Sequence, residues 1–301
     1  MSDSTLISIC IPVYNSDVNS LAQSLYEQCK LLGDKVEIIV IDDCSDLIWK
    51  QKNEASKNVC KFIELPENIG RSKIRNLFLA HSKGDYLLFI DGDSEIVSKN
   101  YVFDFVRFLE NSTVDVLVGG SIYQKDKPDR SKYLRWKYSI YRESKTADKR
   151  EKGNLGFKTN NFLIRRELFL EIPFNEELKG YGHEDTLFGI LLIQKNCKIE
   201  HLENPVLNKH LDTNKVFLKK TDNAILNLVK IYFMRDQYPE ISEIKLIRFY
   251  EKIAQQKLRK IVLIIFQMIR PFVVFFLQKG YFILWMFDFY KLGLFIRKIK
   301  S

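Results

Sequence analysis

The sequence contains little of what marks disordered, fibrous or disulfide-rich proteins. Its 301 residues include only 7 Pro and 13 Gly, while 46% of them are hydrophobic. This composition excludes a collagen-like or disordered chain and allows a buried core to form. The five cysteines contain no C-x-x-C pair, so neither a zinc ribbon nor a disulfide framework is expected, and a reducing compartment is favoured. They are Cys10, Cys29, Cys44, Cys60 and Cys197.

Long uninterrupted hydrophobic runs are absent as well. Residues 1–4 place no basic segment before an apolar run, so no signal peptide is expected. Near the other end, apolar runs at 261–266, 272–277 and 281–287 are separated by polar or charged residues. A helix that crosses a membrane needs roughly 18 apolar residues in succession. These runs are therefore predicted to be too short and too interrupted to span a bilayer.

The positive charge of the chain is concentrated in two segments. The net charge is +9, from 47 Lys and Arg against 38 Asp and Glu. Residues 240–301 carry a net +8 and residues 124–152 a net +6, so the remainder is mildly acidic. Such basic zones indicate contact with phosphates or anionic lipid. For the middle zone, a solvated charged surface remains the alternative.

Short β-branched runs alternate with segments of helical periodicity in the first half of the chain. Strands that are apolar along their whole length are typical of a parallel sheet covered by helices on both faces. The pattern predicts an α/β fold with a mainly parallel, Rossmann-like sheet. The predicted strands are 6–13, 36–41, 60–65, 86–90, 114–122 and 161–166, and the predicted helices are 18–33 (with Gly33 as its C-cap), 71–82 and 99–110.

The pattern changes in the second half. Residues 124–156 are basic and aromatic and show no clear periodicity. Beyond about residue 215 the periodicity predicts helices only. We therefore expect a domain at 1–215 and an amphipathic, basic helical region at 216–301.

Polar side chains follow three of the predicted strands at the point where each strand ends. Ligands of open parallel sheets bind beyond the carboxyl ends of the strands. Several carboxylates converging there would repel one another, and a divalent cation with a nucleotide would relieve that repulsion. Hard oxygen ligands of this kind suit Mg²⁺ or Mn²⁺ bridged to phosphates. The residues are Tyr14 and Asn15, then Asp42 and Asp43, then Asp91 and Asp93.

Six segments form a pattern of motifs with a definite order and spacing. They are Ile11-Pro-Val-Tyr-Asn15, Asp42-Asp43-Cys-Ser45, Asn68-Ile-Gly-Arg-Ser-Lys-Ile-Arg-Asn76, Gly84-Asp-Tyr-Leu-Leu-Phe-Ile-Asp-Gly-Asp93, Lys158-Thr-Asn-Asn-Phe-Leu-Ile-Arg-Arg166 and Gly180-Tyr-Gly-His-Glu-Asp-Thr-Leu-Phe-Gly189. Together they resemble family 2 glycosyltransferases, which are inverting enzymes with the GT-A fold. The resemblance covers about residues 5–211.

The resemblance implies a binding site for a nucleotide-sugar donor, with a UDP-sugar favoured. It implies that Asp93 and Asp91 face the metal, Mn²⁺ or Mg²⁺, and the ribose, and that His210 is a metal ligand, with His201 as the competing candidate. Arg75 lies near the phosphates or, alternatively, only holds its helix against the sheet. The implied donor-binding residues are Pro12, Tyr14, Asn15, Asp42, Arg71, Arg75, Asp91 and Asp93.

The acidic pair Glu184-Asp185 supplies the acid–base chemistry that the resemblance implies. An inverting transfer needs a carboxylate to take the proton of the acceptor hydroxyl. By its position in the motif Asp185 is the base, and Glu184 orients the acceptor or the base. An alternative role for either residue is to stabilise the start of a helix. His183 replaces the aromatic residue that family members usually carry before this pair.

The acceptor is expected to be a saccharide, lipid-linked if the chain works at a membrane. Residues 124–156 and 178–184 are the expected acceptor-side segments, the first of them a flap that orders with ligands. Residues 240–301 mix basic and aromatic residues, which fits helices in a membrane interface. A packing appendage or a homodimer is the alternative. The expected location is cytoplasmic, peripheral on the inner face of the cell membrane.

Two other functions share some of these sequence features. A nucleotidyltransferase also uses a parallel sheet, carboxylates and Mg²⁺, but its first loop is usually rich in Gly and Lys. Here that loop, residues 13–17, contains neither. A protein that binds nucleic acid would show basic and aromatic residues on a known recognition motif. No such motif is present, so no nucleic-acid partner is expected.

Overall fold

A computed structural model describes residues 6–151, 157–281 and 284–299. Its residues pack into two compact units. The first comprises Met1–Gln124, Ser144–Glu177 and Leu191–His210, and the second comprises Lys125–Glu143, Leu178–Ile190 and Leu211–Ser301. The predicted domain division at residue 215 stays a prediction.

The described residues form ten strands and twelve α-helices. The strands are β1 (Ile7–Val13), β2 (Val36–Asp42), β3 (Lys61–Glu64), β4 (Tyr86–Ile90), β5 (Ser94–Ile96), β6 (Val116–Val118), β7 (Ser121–Tyr123), β8 (Asn161–Arg165), β9 (Ile199–His201) and β10 (Val206–Asn208). The helices are α1 (Asn19–Cys29), α2 (Leu47–Lys52), α3 (Arg71–His81), α4 (Tyr101–Asn111), α5 (Tyr133–Tyr138), α6 (Ala147–Glu151), α7 (Arg166–Glu171), α8 (Glu184–Gln194), α9 (Asn214–Tyr232), α10 (Lys245–Gln255), α11 (Arg259–Lys279) and α12 (Leu284–Ile299).

A seven-stranded sheet forms the centre of the first unit. Its strand order is β3-β2-β1-β4-β8-β6-β9. The four strands from β3 to β4 run parallel, whereas β8 runs antiparallel to both of its neighbours. Almost every residue of β1, β2 and β4 is buried, because both faces of these strands are covered. The predicted α/β fold with a mainly parallel sheet is confirmed.

A second, three-stranded sheet has the order β5-β10-β7. The predicted strand 114–122 is divided between the two sheets, since β6 belongs to the large sheet and β7 to the small one. Gly119 and Gly120 lie between them, and Gly120 adopts a φ of +84° that favours glycine. The chain turns at this Gly-Gly pair, which lies inside the segment predicted as one strand.

Some boundaries differ from the predicted ones. The helix predicted at 18–33 ends at Cys29 with Lys30 as its cap, and Gly33 instead begins a 3₁₀ turn that leads into β2. Within the segment 124–156, helices α5 and α6 form although no periodicity predicts them. Residues 152–156 of that segment lie outside the described residues.

The second unit has an aromatic core that the helices share. The Phe217 ring on α9 lies 5.2 Å from the Phe287 ring on α12, and the Tyr138 ring on α5 lies 5.5 Å from each of them. Further along, the Phe295 ring packs 5.7 Å from the ring of Tyr232. Helix α12 is therefore packed against α9 along its length.

Helix α11 corrects the prediction about the last apolar runs. It continues for 21 residues through the polar interruptions and contains Pro271. By length and composition alone this helix could cross a membrane. Of its most apolar stretch of 18 residues, 22% is buried within the protein. The expectation that these runs are too short to span was wrong about length, because separate runs join in one helix.

Candidate active site

The carboxyl ends of three neighbouring strands carry the predicted donor-binding residues. β1 lies between β2 and β4, and all three run in parallel. Tyr14 follows β1, Asp42 ends β2, and Asp91 follows β4. These residues therefore lie along one edge of the sheet, as the order of the sequence motifs predicts.

Asp42 offers an oxygen that the protein does not use. Its carboxyl group is completely buried. Oδ1 accepts a hydrogen bond of 2.8 Å from the Ser45 backbone N–H, whereas buried Oδ2 accepts none among the described residues. A buried carboxylate oxygen without a donor is costly. Oδ2 of Asp42 is therefore available to a hydrogen-bond donor.

Asn15 fastens the two loops that follow β1 and β2. Its backbone N–H donates to Ser45 Oγ at 2.8 Å, and its side chain exchanges two hydrogen bonds with Asp46. The backbone of Asn15 has a φ of +50°, which asparagine tolerates better than most residues. Its amide is thus engaged in positioning the loops. By contrast, 55% of the neighbouring Tyr14 is exposed, and Pro12 is half-buried.

Asp43 has a structural role that the sequence analysis did not assign. Its carboxylate accepts hydrogen bonds from the backbone N–H groups of Ile69 (2.7 Å) and Gly70 (3.0 Å), directly before α3. Desolvation and the nearby Asp42 raise the pKa of Asp43, and the two hydrogen bonds oppose this shift. Asp43 therefore fixes the turn from which α3 starts. The signal in the sequence is the pair of consecutive aspartates after a strand.

Arg75 on α3 contacts Asp91 at the end of β4, as its predicted role of holding the helix against the sheet requires. The side chain is 2% exposed, and its Nη2 atom lies 2.8 Å from Asp91 Oδ1. A second nitrogen, Nη1, donates to the Arg71 carbonyl at 3.2 Å. Arg75 thus holds α3 against the end of β4 and orients Asp91. Arg71 begins the same helix and is exposed.

The pairing of two short strands relates Asp93 to His210. Ser94 on β5, one residue after Asp93, pairs with Asn208 on β10, two residues before His210. Desolvation and the charge of Asp91 raise the pKa of Asp93, while Arg71 and His210 lower it. Because β5 and β10 are 112 residues apart in sequence (206 − 94), this pairing could not be anticipated from local patterns.

The described part of the chain contains no group of three or more His, Cys, Asp or Glu side chains arranged to hold a metal ion. The three predicted metal residues, Asp91, Asp93 and His210, are therefore not gathered as a complete ligand group. One oxygen of Asp91 is occupied by Arg75. Mg²⁺ and similar cations are commonly held by one or two carboxylates, with phosphates and water completing the shell. The donors present fit that kind of site.

The acidic pair belongs to the second unit and opens α8. Glu184 is buried and Asp185 is half-buried, with Asp185 Oδ1 accepting the Thr186 backbone N–H at 2.7 Å. Both carboxylates stand in the first helical turn, where the helix dipole favours negative charge. The position fits the predicted pair and is equally compatible with a helix-stabilising role.

The loop before this pair is held by a residue far along the chain. Gly180, Gly182 and His183 all have positive φ angles, so the loop is tightly turned. A Cβ atom on Gly182 would lie 2.6 Å from the Cβ of Ala224 on α9, which leaves space only for glycine. One turn further on α9, buried Asn227 donates to the carbonyls of Lys179 (3.0 Å) and Gly182 (2.9 Å). No local sequence pattern points to this role of Asn227.

His201, the competing metal candidate, makes a different contact. Its Nδ1 atom accepts a hydrogen bond of 3.4 Å from Arg150 Nε. Arg150 is buried and also donates to the carbonyl of Leu202 at 2.7 Å. Burial and the charge of Arg150 lower the pKa of His201 from its usual 6.5 to about 4. The ring is thus a neutral acceptor that joins β9 to α6.

We expect His201 to make the fold sensitive to acid. Its lowered pKa means that the unfolded chain binds a proton that the folded one does not, so stability is complete above about pH 6.5 and declines towards pH 4. The loss should amount to about 2 kcal/mol, reduced from the full shift because the ring is only half-buried. Urea unfolding at several pH values measures it. The His201→Gln variant should lose less stability over this interval, and an equal loss in both proteins would contradict the assignment.

Part of the chain is similar in sequence to a known enzyme. Over 123 residues the chain is 29% identical to the poly(ribitol-phosphate) beta-N-acetylglucosaminyltransferase TarS of Staphylococcus aureus. The matched residues make up 37% of this chain and 20% of that relative. The chain thus spans only about a fifth of its length.

Two solved structures share the fold. Staphylococcus aureus TarS 1-349 in complex with UDP is 19% identical, with a TM-score of 0.52 over 96% of this chain and 90% of that one. Glucosyl-3-phosphoglycerate synthase from Mycobacterium tuberculosis, in complex with Mn²⁺, UDP and glucosyl-3-phosphoglycerate, is 18% identical, with a TM-score of 0.51 over 75% of this chain and 79% of that one. Residues 8–172, more than half of the chain, match the model of glycosyl transferase family 2, and the chain belongs to that family.

Proposed function

We propose that the protein transfers a sugar from a nucleotide donor, a UDP-sugar, to a saccharide acceptor with inversion at the anomeric carbon. The observation that carries the proposal is the unused, buried Oδ2 atom of Asp42 at the sheet edge that also presents Asp91 and Asp93. Membership of glycosyl transferase family 2 supports the reaction class. The presence of UDP in the two structural neighbours named above supports the choice of nucleotide.

The donor would lie along this edge. Asp42 Oδ2 would accept a hydrogen bond from an N–H group of the base, which removes the cost of its buried, unpaired state. The exposed ring of Tyr14 offers a surface on which the base can stack, beside Pro12. Arg71, at the start of α3, would contact the diphosphate, and Arg75 would keep Asp91 in place.

Mn²⁺ or Mg²⁺ would be held by Asp93 with His210, and Asp91 would add negative charge beside it. Carboxylate oxygens are ligands that suit these cations. When bound, the cation offsets the charge that develops on the departing diphosphate. The charge of Asp91 beside Asp93 supports this assignment, because a cation would relieve the repulsion between the two carboxylates.

Asp185 would take the proton of the attacking acceptor hydroxyl. Its Oδ1 atom accepts the Thr186 N–H at 2.7 Å, which orients the carboxylate. Glu184, buried next to it, would orient the acceptor or the base. An ionised carboxylate at a helix N-terminus is ready to accept a proton at neutral pH.

The acceptor that we propose is a lipid-linked saccharide of surface polysaccharide synthesis, met by a cytoplasmic enzyme peripheral on the inner face of the cell membrane. The name of the relative TarS, which acts on poly(ribitol-phosphate), supports a cell-surface glycan as the general destination. The basic, aromatic composition of residues 240–301 supports a location near anionic lipid.

A panel of nucleotide sugars tests the proposed donor. Thermal unfolding of the full chain is followed with each UDP-sugar and with GDP-mannose, in the presence of Mn²⁺ or of a chelator. A UDP-sugar should raise the unfolding temperature more than the others, and only with the cation. A rise with nucleoside triphosphate and sugar phosphate, but not with any nucleotide sugar, would favour a nucleotidyltransferase instead.

Asn227→Ala should lower turnover without abolishing it. The change removes the donor to two carbonyls of the loop that presents Glu184 and Asp185, at a cost of about 1–3 kcal/mol. We expect kcat to fall by about tenfold while the KM for the donor changes little. Asn223→Ala, an exposed asparagine of the same helix, is the matched control. Equal kinetics for both variants would show that the tether does not position the acidic pair.

A further inference from the structure

The outward side of α11 is a large exposed apolar surface. Its buried residues follow one stripe, and on the opposite side lies a second stripe of large apolar residues that are 38–72% exposed. We call this second stripe the outer face of α11. It consists of Ile261, Ile264, Ile265, Met268, Ile269, Phe272, Phe275 and Phe276.

The outer face is too large to be an ordinary exposed patch. It extends for about 24 Å along the helix. It presents on the order of 800 Å² of apolar surface, whereas the largest patch of a typical monomer is about 300–600 Å². Surfaces of this size usually contact another molecule or a membrane.

The charge around the outer face has one sign only. Residues 252–287 contain no Asp or Glu, although these residues are common elsewhere in the chain. Four basic residues precede the outer face along the chain and one follows it, whereas Arg270 belongs to the other side of α11, where it lines a cavity with Asp222. The six basic residues of this stretch are Lys252, Lys257, Arg259, Lys260, Arg270 and Lys279. An apolar centre with basic ends is complementary to the acyl chains and phosphates of anionic lipid.

The other side of α11 is held within the second unit. Phe266, Val273 and Leu277 are buried. The Phe266 ring lies 5.9 Å from the Phe289 ring and 6.2 Å from that of Tyr290, both on α12. To cross a bilayer, α11 would have to give up these contacts. A helix packed on one side and apolar on the other is instead suited to lie flat on the surface of a membrane.

We propose that the outer face of α11 binds to an anionic lipid bilayer, with the helix lying in the plane of the headgroups. A second copy of the chain is a poorer occupant, because two such faces would bring together ten basic residues from a stretch, 252–287, that contains no Asp or Glu. The inference depends on the proposed location at a membrane and not on the proposed transfer reaction.

Flotation of the full chain with lipid vesicles tests the proposal. One set of vesicles is phosphatidylcholine alone, and the other contains equal parts of phosphatidylcholine and phosphatidylglycerol. The protein should bind the second set at least tenfold more tightly, and added salt should weaken the binding. No binding to either set, or equal binding to both, would overturn the proposal.

A pair of phenylalanine variants tests the surface itself. Phe272→Glu places a charge in the middle of the outer face and should reduce vesicle binding by at least tenfold. Phe103→Glu changes an exposed phenylalanine of α4 in the first unit and should leave binding unchanged. Thermal stabilisation by UDP with Mn²⁺ is measured on the same samples, so that a failure of nucleotide binding is seen separately from a failure of membrane binding. Equal vesicle binding by both variants would exclude the outer face.

Two further observations distinguish the other occupants. Protein that stays with the vesicles after an alkaline carbonate wash would show that α11 is inserted across the bilayer, which contradicts a flat position. A dimer that forms without lipid and is abolished by Phe272→Glu would assign the outer face to a second copy. Release by carbonate together with a monomer in solution supports the proposal.

Discussion

Replacing Asp185 by Asn is expected to reduce glycosyl transfer about a thousandfold while UDP-sugar binding remains. Asparagine has nearly the same shape, and its side-chain oxygen can still accept the Thr186 N–H, a contact of 2.7 Å in the structure. It cannot take a proton from the acceptor hydroxyl. Single-turnover transfer, with donor binding measured separately, separates the lost chemical step from binding.

The alternative role of Asp185, stabilising the start of α8, makes a different prediction. Removing a carboxylate from a helix N-terminus costs about 0.3–1 kcal/mol of stability and does not by itself slow a reaction. Asp104→Asn, which removes an acidic residue from the first turn of α4, is the matched control. If both variants lose only stability, Asp185 is not the base. A product with retained anomeric configuration would also contradict a single displacement with this residue as its base.

The edge of the sheet was predictable because its signal is local. An apolar strand followed by a polar residue occurs three times, and parallel strands bring their carboxyl ends to one edge. The order of β2, β1 and β4 then makes Asp42, Tyr14 and Asp91 neighbours along that edge. Each of these inferences needed only a few consecutive residues and a general rule of α/β folds.

Contacts between distant segments were not predictable in the same way. The proximity of His210 and Asp93 depends on the pairing of β10 with β5, two strands of three residues each. Nothing in such short runs specifies a partner strand. The 2.8 Å contact between Arg75 and Asp91 joins residues that are 16 positions apart, and no local pattern predicts it. Asn227 reaches a loop more than forty residues earlier in the chain.

The C-terminal region shows a further limit of sequence patterns. Periodicity predicted helices beyond residue 215, and the described residues confirm them. It did not predict that α9 and α12 share an aromatic core, since aromatic residues in a basic segment fit membrane helices as well as packed ones. Phe287 is buried against Phe217, whereas Phe272 on α11 is 67% exposed. Only packing separates the two kinds of aromatic residue.

Asp93→Asn is expected to abolish the effect of Mn²⁺ on UDP binding and to leave the fold nearly unchanged. The variant loses the negative charge that we propose as a metal ligand. Its effect on stability should be small, because desolvation and the charge of Asp91 already disfavour the ionised form of Asp93 in the absence of a cation. Calorimetric titration of UDP, with Mn²⁺ and with a chelator, measures the effect directly.

Asp91→Asn distinguishes the proposed metal-binding role of Asp93 from the structural role of Asp91. It would break the ion pair with Arg75, whose side chain is 2% exposed, and should cost about 2 kcal/mol of stability in addition to any loss of UDP binding. Asp34→Asn, an exposed position in the same unit, should change neither property. If Asp93→Asn binds UDP with the same dependence on Mn²⁺ as the unaltered protein, Asp93 does not hold the cation. Normal stability in Asp91→Asn would show that the Arg75 pair does not secure α3 to the sheet.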